Sequence, residues 1–154
     1  MILKVGDRMS FNDRELLARM VQCEAGGEGE DGMKAVATVI MNRVRASGGE
    51  YLRTGNGSLQ RIVMQPGQFD CAMTVKNGQS NSQNIYNMSP EPINYDIADW
   101  ALAGNIFNPV GDCLWFYNPF SGNCRSAFPG NSGTFHIRIN NHCFYRPTPA
   151  YYDT

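Results

Sequence analysis

The sequence predicts an α+β fold in a single domain, on three observations. Its 154 residues, 42% hydrophobic and 18% charged, suit one folded core. Helical periodicity and strand-like runs are segregated along the chain instead of alternating. No internal repeat and no linker-like stretch interrupts it.

The elements follow in order. Ser10-Phe11-Asn12-Asp13 fits an acidic variant of the capping box that opens a helix. Leu16, Leu17, Met20, Val21 and Glu24 then recur on one face, and Gly26-Gly27 ends that helix. A second helix is expected from about Asp31, with Met33, Val36, Ala37, Ile40, Met41 and Val44 inward, stopped by Ser47-Gly48-Gly49. The two form an αα-hairpin. "SLQRIVMQPGQFDCAMT" reads as a short irregular β-hairpin, because β-prone residues flank Pro66-Gly67, a type II turn centre. Lys76 to Pro90, rich in Asn, Gln and Ser, reads as a surface loop. A third helix spans about Pro92 to Ala103, with Ile93, Ile97 and Trp100 inward and Gly104 closing it. "CLWFYNP" reads as a buried strand, "SGNCRSAFPGNSG" as a loop, and "TFHIRI" and "HCFYRP" as two further strands.

Bulk properties narrow the function. The net charge of −1 argues against a nucleic-acid partner. Seven Tyr, eight Phe and two Trp, among many Asn, Gln and Gly, suit a polar ligand with apolar faces, such as a sugar. The opening "MILKVGDRMSFNDRELL" shows no secretory signal, so synthesis in the cytoplasm is expected, and no apolar run is long enough to span a bilayer. Five cysteines, an odd number, without a signal argue against a disulfide framework. Spacing allows a Cys113–Cys124 bridge without specifying it. With no C-x-x-C pair, no metal or cofactor is expected.

Glu24 is the residue that stands out. It ends the apolar face of the first helix, where the macrodipole disfavours an anion by roughly 0.3–1 kcal/mol. Its neighbours one turn back, Met20 and Val21, are apolar. Burial and dipole both favour the protonated form, which suits a general acid for a glycosidic oxygen. The plainer reading is a salt bridge to Arg43 or Arg19. Glu30 and Asp31 read as solvated acids at a helix start, while Glu28 is open to either reading.

"EAGGEGEDGMKAVATVIMNRV", with "QPGQF", "LWFYNP" and "NNHCFYRPT", resembles the spore-cortex-lytic cell-wall hydrolases of the SleB/CwlJ type. The resemblance runs from about Leu16 to Thr148 and is greatest to the CwlJ branch. It implies a lysozyme-like or lytic-transglycosylase-like domain, its helical part and small antiparallel β part flanking a cleft, over 1–154 with a motif-bearing core of about 12–148. It implies action on the glycan strands of spore-cortex peptidoglycan during germination, with Glu24 catalytic. Glu28, Gln65, Gln68, Phe69, Tyr117, Asn118 and His142 would contact substrate. Asn42 is expected to tie the second helix to a loop, and Trp115 and Phe116 to belong to the core. The resemblance further implies a spore-coat anchoring protein as partner and a place at the coat–cortex boundary.

A lytic transglycosylase needs one acid; hydrolysis through water would need a second carboxylate, for which Glu28 and Asp70 are the candidates. The alternatives are a hydrolytic muramidase or glucosaminidase of vegetative wall or phage lysis, and a cysteine amidase using Cys23 with His136 or His142. A non-enzymatic glycan-binding module fits less well, because the motif glutamate is intact.

Overall fold

The computed structural model describes residues 10–154. The first residues of the opening segment read for a secretory signal lie outside them.

Helix α1 (Asp13–Ala25) begins at Asn12, whose side-chain oxygen accepts the Glu15 N–H at 2.8 Å. The cap therefore lies inside the Ser10–Asp13 box and not at its first residue. Leu16, Leu17, Met20 and Val21 are all buried. Helix α2 (Gly29–Val44) packs Val36, Ala37 and Ile40 against the same core. Asn42 donates to the carbonyls of Gly111 and Cys113, both at 2.9 Å, tying α2 to a loop as expected.

The segment expected as a β-hairpin is helical. Helix α3 (Gly49–Gly55) precedes helix α4 (Leu59–Met64), which starts at Ser58, its Oγ accepting the Arg61 N–H at 3.2 Å. Leu59, Ile62 and Val63 are buried at helical spacing, so core packing overrides their β propensity. The Pro66-Gly67 turn is present: the Gln68 N–H donates to the Gln65 carbonyl at 3.2 Å, and Gly67 has φ +79°.

The expected loop after Lys76 carries a small hairpin, β1 (Val75–Lys76) against β2 (Gln79–Ser80). Asn77 and Gly78 at its tip both have positive φ, the conformation of a type I′ turn. A 3-10 turn at Ile85–Asn87 follows. The Asn84 side chain caps it, and Ile85 plugs it into the core. Helix α5 (Pro92–Leu102) matches its prediction, with Ile97 buried and Ile93 and Trp100 half-buried.

Strands β3 (Trp115–Tyr117), β4 (Gly133–Ile139) and β5 (His142–Pro147) form an antiparallel sheet in the order β3-β5-β4. Trp115 pairs with Tyr145 and Tyr117 with Cys143. Trp115 is buried, its indole N–H donating to the Tyr51 hydroxyl at 2.9 Å, while Phe116 is half-buried.

Four of the five cysteines are paired, against expectation. Cys23 bonds Cys71 across 48 residues and Cys124 bonds Cys143 across 19, leaving Cys113 buried and free. The fold brings these Cα atoms to 6.1 and 5.8 Å, within bridging range. Linear spacing contains no such information.

Gly49 is held by geometry on two counts. It has φ +73°, and a Cβ there would lie 2.5 Å from the Tyr151 ring, whose hydroxyl also donates to the Gly48 carbonyl. Gly49→Ala is expected to cost roughly 1–3 kcal/mol. Thermal unfolding checks this as a drop of several degrees in Tm at unchanged far-UV circular dichroism.

Candidate active site

Helix α1 and the Asp70–Ala72 turn meet the β3–β5 side of the sheet across a cleft of about 790 Å³. The Cys23–Cys71 bridge joins the end of α1 to that turn. Glu24, next in the chain, lies half-buried in the cleft wall, with the Cys71 backbone N–H among the groups that favour its anion.

The Glu24 carboxyl is pushed from its ordinary 4.5 up to about 7. Burial is the largest cause and the charge of Asp70 adds to it, while Arg43, the Cys71 N–H and Lys76 pull the other way. No basic residue stands in the last turn of α1 to offset the dipole. At neutral pH this group is part acid and part base, the condition for shuttling a proton in both directions.

Arg19 is committed elsewhere, bonded to Glu15 at 2.8 Å and to the carbonyls of Ile85 and Met88. Arg43 lines the cleft but forms no ion pair with Glu24. The salt-bridge reading of Glu24 therefore does not describe this site.

Glu28 has a structural post. Its Oε1 accepts the Asn141 N–H at 3.0 Å, its Oε2 accepts the Asn141 side-chain amide at 2.9 Å, and its carbonyl accepts the Asn140 amide. These bonds clamp the α1–α2 connection onto the β4–β5 turn. His142 Nδ1 lies 2.9 Å from Glu28 Oε1. Burial holds the imidazole below its ordinary range, against the pull of Glu28.

The cleft gathers Glu24, Glu28, Gln68, Phe69, Tyr117, Asn118 and His142 from the expected set. Gln65 is outside it. The Pro66-Gly67 turn reverses the chain, so Gln68 reaches the cleft while Gln65 ends α4 with its Oε1 buried and unpartnered. Gln68 is positioned by a relay in which Trp115 donates to the Tyr51 hydroxyl, which donates to Gln68 Oε1 at 3.2 Å. Phe69 is both buried and cleft-lining.

Sequence reasoning missed several cleft residues. Lys76, Asn81 and Gln83 come from the segment read as a surface loop. Lys76 pairs with Asp70, and Asn81 donates to the carbonyls of Asp70 and Met73, fixing the turn beside Glu24. Phe120 stands 91% exposed at the rim, and nothing in its local sequence marks it. Arg43 does carry a signal: it interrupts the apolar face of α2, three residues after Ile40.

The thiol alternative loses its nucleophile, because Cys23 is disulfide-bonded. The remaining thiol, Cys113, is buried and pushed up to about 12, chiefly by burial. His136 lies on the surface against the Pro109 carbonyl.

A family model described as Cell Wall Hydrolase matches residues 27–145. The chain belongs to the cell wall hydrolase family. The matched span takes in α2 through most of β5, including Glu28, Arg43, Gln68 and His142, and begins just after Glu24. Cell wall hydrolase CwlJ of Bacillus subtilis (strain 168) is 27% identical over 141 residues, 92% of this chain and 89% of that one. CwlJ of Halalkalibacterium halodurans is 31% identical over 146 residues, 93% of this chain and 91% of that one. A spore cortex-lytic enzyme of Bacillus cereus is 33% identical over 110 residues, 71% of this chain but 36% of its own length.

Among solved structures, the catalytic domain of the germination-specific lytic transglycosylase SleB from Bacillus anthracis superposes with a TM-score of 0.64 at 23% identity. It covers 90% of this chain and 97% of that one. The SleB catalytic domain of Bacillus cereus gives the same score at 24% identity, covering 91% and 94%. At these identities the likeness is one of fold, and it agrees with the class expected for this member of the cell wall hydrolase family.

The raised Glu24 pKa sets a stability window. Between pH 4.5 and 7 the unfolded chain releases this proton and the folded chain keeps it, so stability falls as pH rises through that range. Glu24→Gln removes the effect. Urea unfolding should show the variant more stable than wild type at pH 8 by roughly 3 kcal/mol, with no difference near pH 4.

Proposed function

We propose that this enzyme of the cell wall hydrolase family cleaves the glycan strands of spore-cortex peptidoglycan as a lytic transglycosylase, with Glu24 as its single general acid and base. The observation that carries the reading is a carboxyl held near 7 in the wall of an open cleft, on which no second carboxylate is both free and close at hand. Glu28 is tied to Asn141, and Asp70 is paired with Lys76. The names of the relatives, cell wall hydrolase and spore cortex-lytic enzyme, support the substrate.

The chemistry then runs in two half-steps. Protonated Glu24 gives its proton to the oxygen bridging N-acetylmuramic acid and N-acetylglucosamine. The anomeric C–O bond breaks, and its electron pair leaves with that oxygen. Glu24, now a carboxylate, takes the proton from the muramyl C6 hydroxyl, whose oxygen bonds the anomeric carbon. A 1,6-anhydro ring closes, and Glu24 returns to its starting form. Substrate supplies the nucleophile, so the second carboxylate of most glycosidases has no task.

The cleft lining suits a glycan. Phe116, Tyr117 and Phe120 offer ring faces to pyranose rings, while Gln68 and Asn118 offer amides to hydroxyl and acetamido groups. The whole chain acts as one catalytic unit, with a motif-bearing core of about 12–148. A spore-coat protein anchors it at the coat–cortex boundary.

Mass spectrometry of digested cortex tests this reading. Anhydromuramic ends are expected. Reducing ends would replace it with hydrolysis through Asp70, and released peptides would overturn both. Glu24→Gln should lower glycan cleavage by about 10²–10⁴-fold while keeping the native circular dichroism spectrum.

A further inference from the structure

Arg43 has no role in the steps above, yet its environment is unusual. It is only 4% exposed and lines the same cleft as Glu24. Its guanidinium lies 4.7 Å from the centre of the Tyr51 ring and 4.6 Å from that of Phe69. Nε donates to the Leu114 carbonyl at 2.7 Å. Nη1 is buried without a partner, and Arg43 belongs to no ion pair among the described residues.

A buried cation left with one neutral hydrogen bond is costly. A residue present only to hold α2 against β3 would do better as a neutral amide bonded to Leu114. The ring faces of Tyr51 and Phe69 offset part of the cost. What remains is a positive charge in the cleft wall whose field falls on Glu24.

We propose that Arg43 is a positioning residue for Glu24: its buried guanidinium is the standing counter-cation for the carboxylate that Glu24 becomes between the two half-steps. The inference rests on the acid–base reading of Glu24 given above. Arg43 acts through Glu24 and leaves the sugar to the other cleft residues.

The groups facing Glu24 divide by sign. Asp70, from the turn after α4, opposes its ionisation; Arg43, from α2, and Lys76, from β1, favour it. Glu28 and His142 complete the titratable lining of the cleft. Lys76 is held by Asp70 in an exposed pair, which solvent screens. Arg43 is buried, so solvent screens its charge less than that of Lys76. Without Asp70 the acid would ionise too readily to begin the reaction; without Arg43 its anion would be too unfavourable to complete it.

The test is the pH dependence of kcat/KM for cortex glycan in R43M, R43K and D70N, with product analysis throughout. Wild type should lose activity as Glu24 ionises. R43M should move that alkaline limb up by about one pH unit and lower kcat by at least about tenfold at the new optimum. D70N should move the limb down. R43K keeps the charge and should keep the limb within about half a pH unit of wild type. Shifts of opposite sign are not what a merely structural residue would give.

Equal loss of activity in R43M and R43K, with wild-type Tm and an unmoved limb, overturns the proposal. Should R43M fail to fold, R43K decides alone: a folded R43K whose limb leaves the wild-type position also overturns it. If wild type makes anhydromuramic ends while Arg43 variants leave the limb unmoved, the Arg43 inference fails and the transglycosylase reading stands. If wild type makes none, that reading fails first.

Discussion

The proton on Glu24 is held by partial withdrawal of its half-buried carboxyl from water at the end of α1, and much of the molecule is arranged to maintain that shielding. Burial is the largest cause of the raised carboxyl. It depends on the close fit of α1 to the Asp70–Ala72 turn, and that fit depends on two tethers. The Cys23–Cys71 bond joins the elements covalently. Asn81 binds the turn by its Asp70 and Met73 carbonyls. The Cys71 N–H that favours the anion comes from that same turn, so one structure both places it and shields the carboxyl. Loosening the turn would admit more water and move that N–H together.

Much of this was legible in the sequence, for identifiable reasons. The apolar faces of α1, α2 and α5 have strong 3.6-residue periodicity, and Glu24 ends one of them. The upward direction of its pKa shift was readable from that position, while the contribution of Asp70 was not. The aromatic wall on β3 was readable because "LWFYNP" is too apolar for a loop. Motif likeness then attached a reaction to Glu24 that periodicity could not supply.

What was not legible was decided by tertiary contacts. Ile62 and Val63 favour strands in isolation, yet the core takes them on a helix. The disulfide pairs are set by which segments meet in space. Gln65 and Gln68 look equivalent on the page, but the turn between them leaves only Gln68 facing the cleft. Asn77-Gly78 was a missed local signal, since that dipeptide favours the I′ turn found there. Glu28 could be either structural or catalytic on sequence grounds. Its partners lie more than a hundred residues away at Asn140 and Asn141, and only the folded chain reveals them.

The commitment of Glu28 bears on the chemistry as well as the fold. Glu28 accepts three donors, two of them at its carboxylate, so both of its carboxylate oxygens are already engaged within the fold. Moving it toward substrate would unclamp the β4–β5 turn, and with it His142, whose ring packs edge-on at 5.3 Å from Phe116 in the cleft wall. Structural need and catalytic need therefore compete for the same side chain, and the hydrogen bonds show which prevails. A cleft that uses one of its acids as a clamp and pairs another with Lys76 favours a reaction in which the substrate brings its own nucleophile. On this view the proposed single-acid route is in keeping with how the connection between α1 and α2 is fastened.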